Sequence, residues 1–297
     1  MTTLSVLAVI PSLSVNRLDQ IGSLVREFDL LGMDTVVVAN GGRLNKALEG
    51  SGIAKISVEK NLGFGAAVNV AVDSHADWKW LLIVNDDIEL DVEKFRASIS
   101  RYLCEVDGPT VVYFDETPPK RIPRSLDVFR SLALLDGVSK ALHHTRAERT
   151  FESQDERAYR SFSMVAVSRE AWAVNQGFDE RFAFTYEDSD FVRRGVAAGI
   201  RFTAAESSGS QHIHSATGRD HIESVLPVSA WSGYQYLIKW GRSKASARLI
   251  CMAALVVRIP LIPFVHGSRR RHFLGDARAL SAMIRNREPA LPDYWLA

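Results

Sequence analysis

Trp80-Leu81-Leu82-Ile83-Val84-Asn85-Asp86-Asp87-Ile88-Glu89 is the stretch on which the fold turns. Its first five residues are an unbroken apolar run, the pattern of a strand buried on both faces. An acidic loop follows without transition, so carboxylates are delivered at the rim of a rigid scaffold. Hard oxygen ligands of this kind suit Mg²⁺ or Mn²⁺, usually with substrate phosphate completing the shell. An exposed acidic turn is the plainer reading of the loop taken alone. Upstream, residues 4–10 form another apolar run, and Leu18, Ile21, Leu24, Val25, Phe28 and Leu31 recur at helical spacing. Strands are predicted at 35–39 and 53–58, with helices at 64–74 and 92–103. The succession is βαβαβαβ: an α/β chain with a mostly parallel sheet and helices on both faces. In such sheets ligands bind beyond the carboxyl ends of the strands. The loops there are 11–16, 40–43, 60–65 and 85–89.

With 297 residues, the chain is long enough for one large core plus an appendage. A net charge of +1 supplies no general field for nucleic acid, so an electrostatic partner must meet a local patch such as 269–271. Cys104 and Cys251 lie in apolar sequence without CxxC spacing. Together with a start that reads as a strand and not as a leader, they point to a reducing, cytoplasmic setting.

Gln176–Arg194, QGFDERFAFTYEDSDFVRR, sets five carboxylates among aromatic residues. Phe178, Phe182, Phe184, Tyr186 and Phe191 are expected to wall a pocket and raise the basicity of the acids, with Asp188 and Asp190 foremost. Carboxylates at a helix start also complement the helix dipole, which is the structural alternative. The segment 60–69, KNLGFGAAVN, is a glycine-bearing helix entry; Gly63 and Gly65 would let backbone approach a ligand closely. It is not a dinucleotide fingerprint, which should follow the first strand, and no Walker sequence is present. After a strand predicted at 200–203 come His212 and His214, alternating beside a metal-type loop; His143 and His144 lack acidic neighbours at ligand spacing.

Together these segments resemble the family-2 glycosyltransferases of GT-A fold, nearest to the rhamnosyl-, galactosyl- and glucosyltransferase-like members that build bacterial surface polysaccharides such as O-antigen. The resemblance covers about residues 4–217, and its most specific piece is GFDERFAFTYEDSDFVRRGVAAGIRF. It implies that Asn85-Asp86-Asp87 stands for the DxD motif, with Asp87 on the divalent cation and Asp86 positioning ribose or metal. Glu187-Asp188 would be the ED motif, with Asp188 the catalytic base of an inverting transfer. His212, 24 residues beyond Asp188, matches a further metal ligand of some members, with His214 the alternative. A nucleotide-diphosphate sugar donor would lie against Pro11, Asn40, Asn61, Gly63, Gly65, Asn69, Asn85 and Asp86. Tyr186, Glu187 and Asp190 would meet a glycan or lipid-linked acceptor. Two departures blur the donor: Ala39 stands where the family has a base-contacting acid, and the loop 11–16 is longer than usual.

The implied organisation is a catalytic domain over 1–222, with a nucleotide-sugar half to about 105 and an acceptor half beyond it, then a helical extension over 223–297. Residues 115–161 read as a loop over the acceptor or as an irregular insertion. The apolar stretch 249–265 has 17 residues, an internal Arg258 and two prolines, short of the roughly 20 that span a bilayer. Flanked by Arg242, Lys244, Arg248 and Arg269–Arg271, it fits an interfacial helix on anionic lipid at the inner face of the plasma membrane, over 242–271. Packing on the catalytic domain, or on a second copy in a homo-oligomer, is the other reading. Two rival functions stand beside the transferase. A sugar nucleotidyltransferase should carry a Gly-rich basic loop after the first strand, which 11–16 is not; a catalytically silent nucleotide-sugar-binding relative would bind without turnover.

Overall fold

The computed structural model describes residues 4–104, 106–115, 117–135, 158–213, 221–265 and 268–292. Strand β1 (Val6–Ser12) leads through a 3-10 turn (Val15–Arg17) into α1 (Leu18–Leu30), and β2 (Asp34–Asn40) into a short α2 (Gly42–Ala47). Then come β3 (Lys55–Val58), α3 (Phe64–Asp73), β4 (Trp80–Val84), β5 (Ile88–Leu90), α4 (Val92–Leu103) and β6 (Thr110–Tyr113). The next group is β7 (Lys120–Arg121), α5 (Ser125–Leu132), β8 (Ala158–Tyr159), β9 (Met164–Ser168), α6 (Arg169–Asn175) and α7 (Glu187–Ala197). The chain continues with β10 (Arg201–Ala204), β11 (Ser210–His212), α8 (Ile222–Lys239), α9 (Lys244–Arg258), a 3-10 turn (Ile259–Phe264) and α10 (Arg269–Arg285).

Seven strands form the main sheet in the order β10-β6-β9-β4-β1-β2-β3. All neighbours are parallel except β9, which runs antiparallel between β4 and β6. The continuous apolar runs are sorted by the two-residue period of the strand. Ala8 and Ile10 of β1 join the core beneath α1 and α4, while Leu7 and Val9 join the opposite core beneath α3 and α7. Both faces are thereby covered, which is why these strands carry no polar alternation. Strand order reverses between β1 and β4, opening the crevice where such sheets bind ligands.

A third core joins α5, α8, α9 and α10 to Phe182. Of the aromatic residues expected to wall a pocket, Phe178, Phe182 and Phe191 are packed in the cores, while Tyr186 lines a cavity. Phe178 and Phe191 interlock with Phe162, their ring centroids 5.6 and 5.2 Å from it, and Phe182 sits against Tyr236 of α8. The C-terminal helices close over that surface. The 21 residues Lys244–Phe264 reach the length and apolarity of a membrane span, beyond the 17 residues read from sequence. Their inner side, with Ala247, Cys251, Leu255 and Ile262, is buried in the protein, and the stretch packs along α5, α8 and α10. Cys104, expected in an apolar setting, is exposed.

Candidate active site

Two loops meet at the reversal of the sheet. Pro11 is still within β1, and the next residue, Ser12, donates its hydroxyl to Asp86 Oδ2 across the crevice. The turn after β1 brings Arg17 onto the same acids, Nε lying 3.5 Å from Asp86 Oδ1 and Nη2 3.8 Å from Asp87 Oδ2. Burial, with Asp87 alongside, pushes the Asp86 carboxyl up to about 6 although Ser12 and Arg17 pull the other way. Asp87 is only 5% exposed. Its partner arrives through the antiparallel β5–β11 ribbon, whose register sets His212 opposite Ile88. His212 Nε2 lies 3.0 Å from Asp87 Oδ1, and the Ile213 N–H donates to the Asp87 carbonyl at 2.9 Å. That carboxylate raises the imidazole's affinity for a proton.

A carboxylate and an imidazole in contact, with a second acid adjacent, are a donor set that Mn²⁺ or Mg²⁺ accepts when substrate oxygens supply the rest. Among the described residues, no group of three or more His, Cys, Asp or Glu side chains converges on one point. The protein thus offers the Asp87–His212 pair, while Asp86 is turned to Ser12 and Arg17. His214, the alternative ligand, and His143 and His144 lie outside the described residues.

The second acidic motif is reached through two consecutive residues. The Ser163 carbonyl accepts from the Asn85 N–H at 2.8 Å, and the Phe162 N–H donates to Asp188 Oδ2 at 3.1 Å. The acidic loop and the start of α7 are thus tied to the same strand entry. Thr185 and Tyr186 enter α7 at φ +66° and +71°, consecutive left-handed conformations that cost of order 1–3 kcal/mol each for residues with a Cβ. Part of Glu187 and Asp188 remains accessible, but Glu187 Oε2 and Asp188 Oδ1 are buried and have no hydrogen-bond partner. Desolvation raises both carboxyls: Glu187 stays protonated well above the usual range, and Asp188 is pushed up to about 6 while Lys120 and the Phe162 N–H pull it down. A carboxylate holding one oxygen without a partner in a desolvated site is built to receive a proton.

Other predicted residues have structural duties. Asp190 is fully buried and accepts from Arg194 Nε and Lys239 Nζ at 2.8 Å and from Trp240 Nε1 at 3.1 Å. Those bonds occupy both of its oxygens and fasten α7 to the C-terminal end of α8. The Asn69 amide clamps the backbone of Phe178, donating to its carbonyl and accepting from its N–H at 3.0 Å each. Gly63, at φ +86°, has no room for a Cβ, which would drive into the Ala183 carbonyl. At Gly65 a Cβ would meet Phe178 Cβ at 2.8 Å. What these glycines admit so closely is the segment ahead of Asp188, where a ligand was expected. Asn40 and Asn61 form one polar knot: Asn40 Nδ2 donates to Asn61 Oδ1 at 3.1 Å, and Asn40 Oδ1 accepts from the Leu62 N–H at 2.8 Å. Asn61 Nδ2 in turn reaches the Pro292 carbonyl at 2.8 Å, so the C-terminal tail returns to this loop.

Sequence reading missed Arg17, in the turn after β1, and Lys120, on the two-residue strand β7, because basic residues in such short elements carry no pattern. Their parts follow from tertiary placement alone.

A scan of protein-family models returns no match, and neither does a comparison with the curated proteins. Solved structures do match. GalNAc-T7 with UDP, GalNAc and Mn²⁺ is 12% identical over 96% of this chain and 56% of its own, with a TM-score of 0.51. Glucosyl-3-phosphoglycerate synthase from Mycobacterium tuberculosis, in complex with Mn²⁺, UDP and glucosyl-3-phosphoglycerate, is 15% identical over 80% of each chain at 0.46. S. aureus TarS is 13% identical over 96% of this chain and 92% of its own at 0.42. The fold is that of the GT-A glycosyltransferases.

Proposed function

We propose that this chain of GT-A fold is an inverting, metal-dependent glycosyltransferase that moves a sugar from a nucleotide-diphosphate donor to a hydroxyl of a glycan or lipid-linked glycan in the assembly of surface polysaccharide. The observation that carries this reading is Asp188. Its carboxyl has one oxygen fixed by the Phe162 N–H and the other buried without a partner. The strand entry that fixes it also fixes the Asn85–Asp87 loop.

Asp188 takes the proton of the acceptor hydroxyl. The acceptor oxygen bonds to the anomeric carbon as the bond from that carbon to the diphosphate oxygen breaks, so a single displacement inverts configuration. A glycosidase would need two carboxylates flanking the sugar, and here the second acidic pair is engaged with Arg17 and His212. Asp87 and His212 would hold a divalent cation, which when bound supplies positive charge for the departing diphosphate. Arg17 is the chain's own cation at that place, and Ser12 orients Asp86. The Asn40–Asn61 knot, at the end of β2 where Ala39 replaces the base-contacting acid, would shape the nucleobase site by holding the 60–63 loop in place.

The outward side of the C-terminal helices supports contact with anionic lipid at the cytoplasmic face of the membrane. Leu249 and Phe264 are 69% and 83% exposed, Val256, Ile259, Phe273 and Leu274 are exposed beside them, and Arg242, Lys244, Arg269 and Arg270 flank them.

Thermal shift with UDP, dTDP, GDP and CDP and their sugar conjugates, each with Mn²⁺, Mg²⁺ or EDTA, tests the reading. A ligand at a hundred times its Kd stabilises by about 2.7 kcal/mol. One nucleotide should shift the protein in a metal-dependent way, and its sugar conjugate should be turned over. No shift with any nucleotide and metal would overturn the reading.

A further inference from the structure

A cavity of about 570 Å³ opens directly ahead of the ED pair, and nothing in the transfer chemistry accounts for its charge. Thr185 and Tyr186, the two strained residues before Glu187, form one wall, and Tyr159 another. Its floor is apolar, with Leu132, Val225 and Leu226 from α5 and α8. Basic residues line both ends. Lys120 and Arg121 stand on the exposed β7 rim; the Lys120 ammonium reaches Ser161 Oγ at 2.9 Å, and Arg121 has no ion-pair partner among the described residues.

At the inner end is Arg258, 2% exposed, donating to the Leu132 carbonyl at 3.1 Å and to His272 Nδ1 at 2.8 Å. An arginine can only donate, so His272 Nδ1 is the acceptor and the imidazole proton sits on Nε2, leaving that N–H as a further donor. Arg258 Nε has no hydrogen-bond partner and lies 3.7 Å from Asp276 Oδ1. One carboxylate, Asp127, also lines the cavity, but it caps α5 by accepting from the Arg124 N–H at 2.8 Å. Arg258 is thus occupied by Leu132, His272 and Asp276, so Lys120 and Arg121 are the basic side chains left at the open end, beside one capping carboxylate and over an apolar floor.

We propose that this cavity is the acceptor subsite and that the acceptor carries a phosphate group, held by Lys120 and Arg121 at the rim while its hydroxyl is presented to Asp188. Phosphate is the chemistry that arginine donors and an adjacent ammonium recognise best. The inference rests on the transferase reading. The phosphate has two sources, a soluble polyol or sugar phosphate and a lipid phosphate whose chain would use the apolar floor.

The test uses the full chain saturated with the nucleotide and metal that the thermal-shift panel selects, so that the donor's phosphate site is filled. Calorimetric titrations compare glycerol 3-phosphate with glycerol and hexyl phosphate with hexanol, in the wild type, in Arg121→Gln and in Lys120→Gln/Arg121→Gln. Each phosphorylated probe should bind at least about tenfold tighter than its neutral counterpart, and the double variant should lose about tenfold while keeping its nucleotide affinity. Tighter hexyl phosphate assigns the lipid source, and equal affinities the soluble one. Nucleotide binding without any preference for phosphate, or a preference that survives the double variant, overturns this proposal and leaves the transferase reading standing. If no nucleotide binds, the titrations are run without it: phosphate binding lost in the double variant keeps the anion site and removes the transferase reading, and no binding at all removes both.

Discussion

Asp188→Asn should make the protein more stable at alkaline pH while disabling it. The buried carboxyl is raised from its ordinary 3.8 to about 6, so the folded chain holds this proton more tightly than the unfolded chain does. The penalty for ionising it in the fold is absent below about pH 4, grows between pH 4 and 6, and is complete above about pH 7. At full size it is about 3 kcal/mol, since each pH unit is worth 1.36 kcal/mol. Asparagine keeps an oxygen for the Phe162 N–H but puts an amide where Oδ1 has no partner, which costs about 1 kcal/mol. The net gain is about 2 kcal/mol at pH 8, or roughly 4 °C in Tm, and nothing or a slight loss at pH 4. Transfer should fall by about 10²- to 10⁴-fold, and wild-type kcat/KM should rise with pH through about 6 as the base ionises. Scanning calorimetry of both proteins at pH 4, 6 and 8, beside initial rates, reads all three. A variant less stable than wild type at pH 8, or a stability gap that does not shrink toward pH 4, would refute the assignment of Asp188 as a desolvated base.

Gly63→Ala forces a Cβ against the Ala183 carbonyl at a positive φ, so urea unfolding should show a loss of roughly 3 kcal/mol or more; a loss under about 1 kcal/mol would mean that the two segments are not in close contact. Asp190→Ala leaves Arg194 and the Trp240 N–H without their buried carboxylate, while Lys239 keeps Asp179, and should cost about 3 kcal/mol, read by thermal unfolding. A stable Asp190→Ala protein with a raised acceptor KM would return this residue to the acceptor site. Arg17→Gln removes the cation that faces Asp86 and Asp87, so Mn²⁺ titrated without nucleotide should bind several-fold tighter, on the order of 1 kcal/mol. Unchanged or weaker Mn²⁺ binding would show that Arg17 does not compete for the pair.

The elements that were legible in the sequence are those governed by local pattern. Trp80–Val84 and Val92–Leu103 fall at the predicted bounds, and β1, β2, β3 and α3 within two residues of them, because apolar runs and helical spacing report burial directly. Helix α10 was covered by the helical extension over 223–297 but given no bounds of its own, since Arg269, Arg270 and Arg271 at its start read as a basic patch and hide an apolar face that begins later. Strand β9 gave no sign of running antiparallel, because direction is a property of pairing. The aromatic residues of 176–194 misled for a related reason. Phe178 and Phe191 have the same composition as a pocket wall, and only their contacts with Phe162 make them core.

By itself, then, the sequence determined a two-faced α/β sheet and an acidic loop at the rim of β4, together with an acidic helix start carrying Asp188. These depend on neighbours within a few residues, which a linear reading can see. The tertiary structure alone decided which acids stay partly free and which are spent: Asp190 and Asp188 are two positions apart, but one meets Arg194, Lys239 and Trp240, and the other a single N–H. It also decided that His212 comes to Asp87 through the β5–β11 register, that Arg17 comes to both loop acids, and that Arg258 faces the cavity before Tyr186. Each of those contacts joins distant parts of the chain, and electrostatics in a desolvated site depends on distance in space, which residue order does not encode.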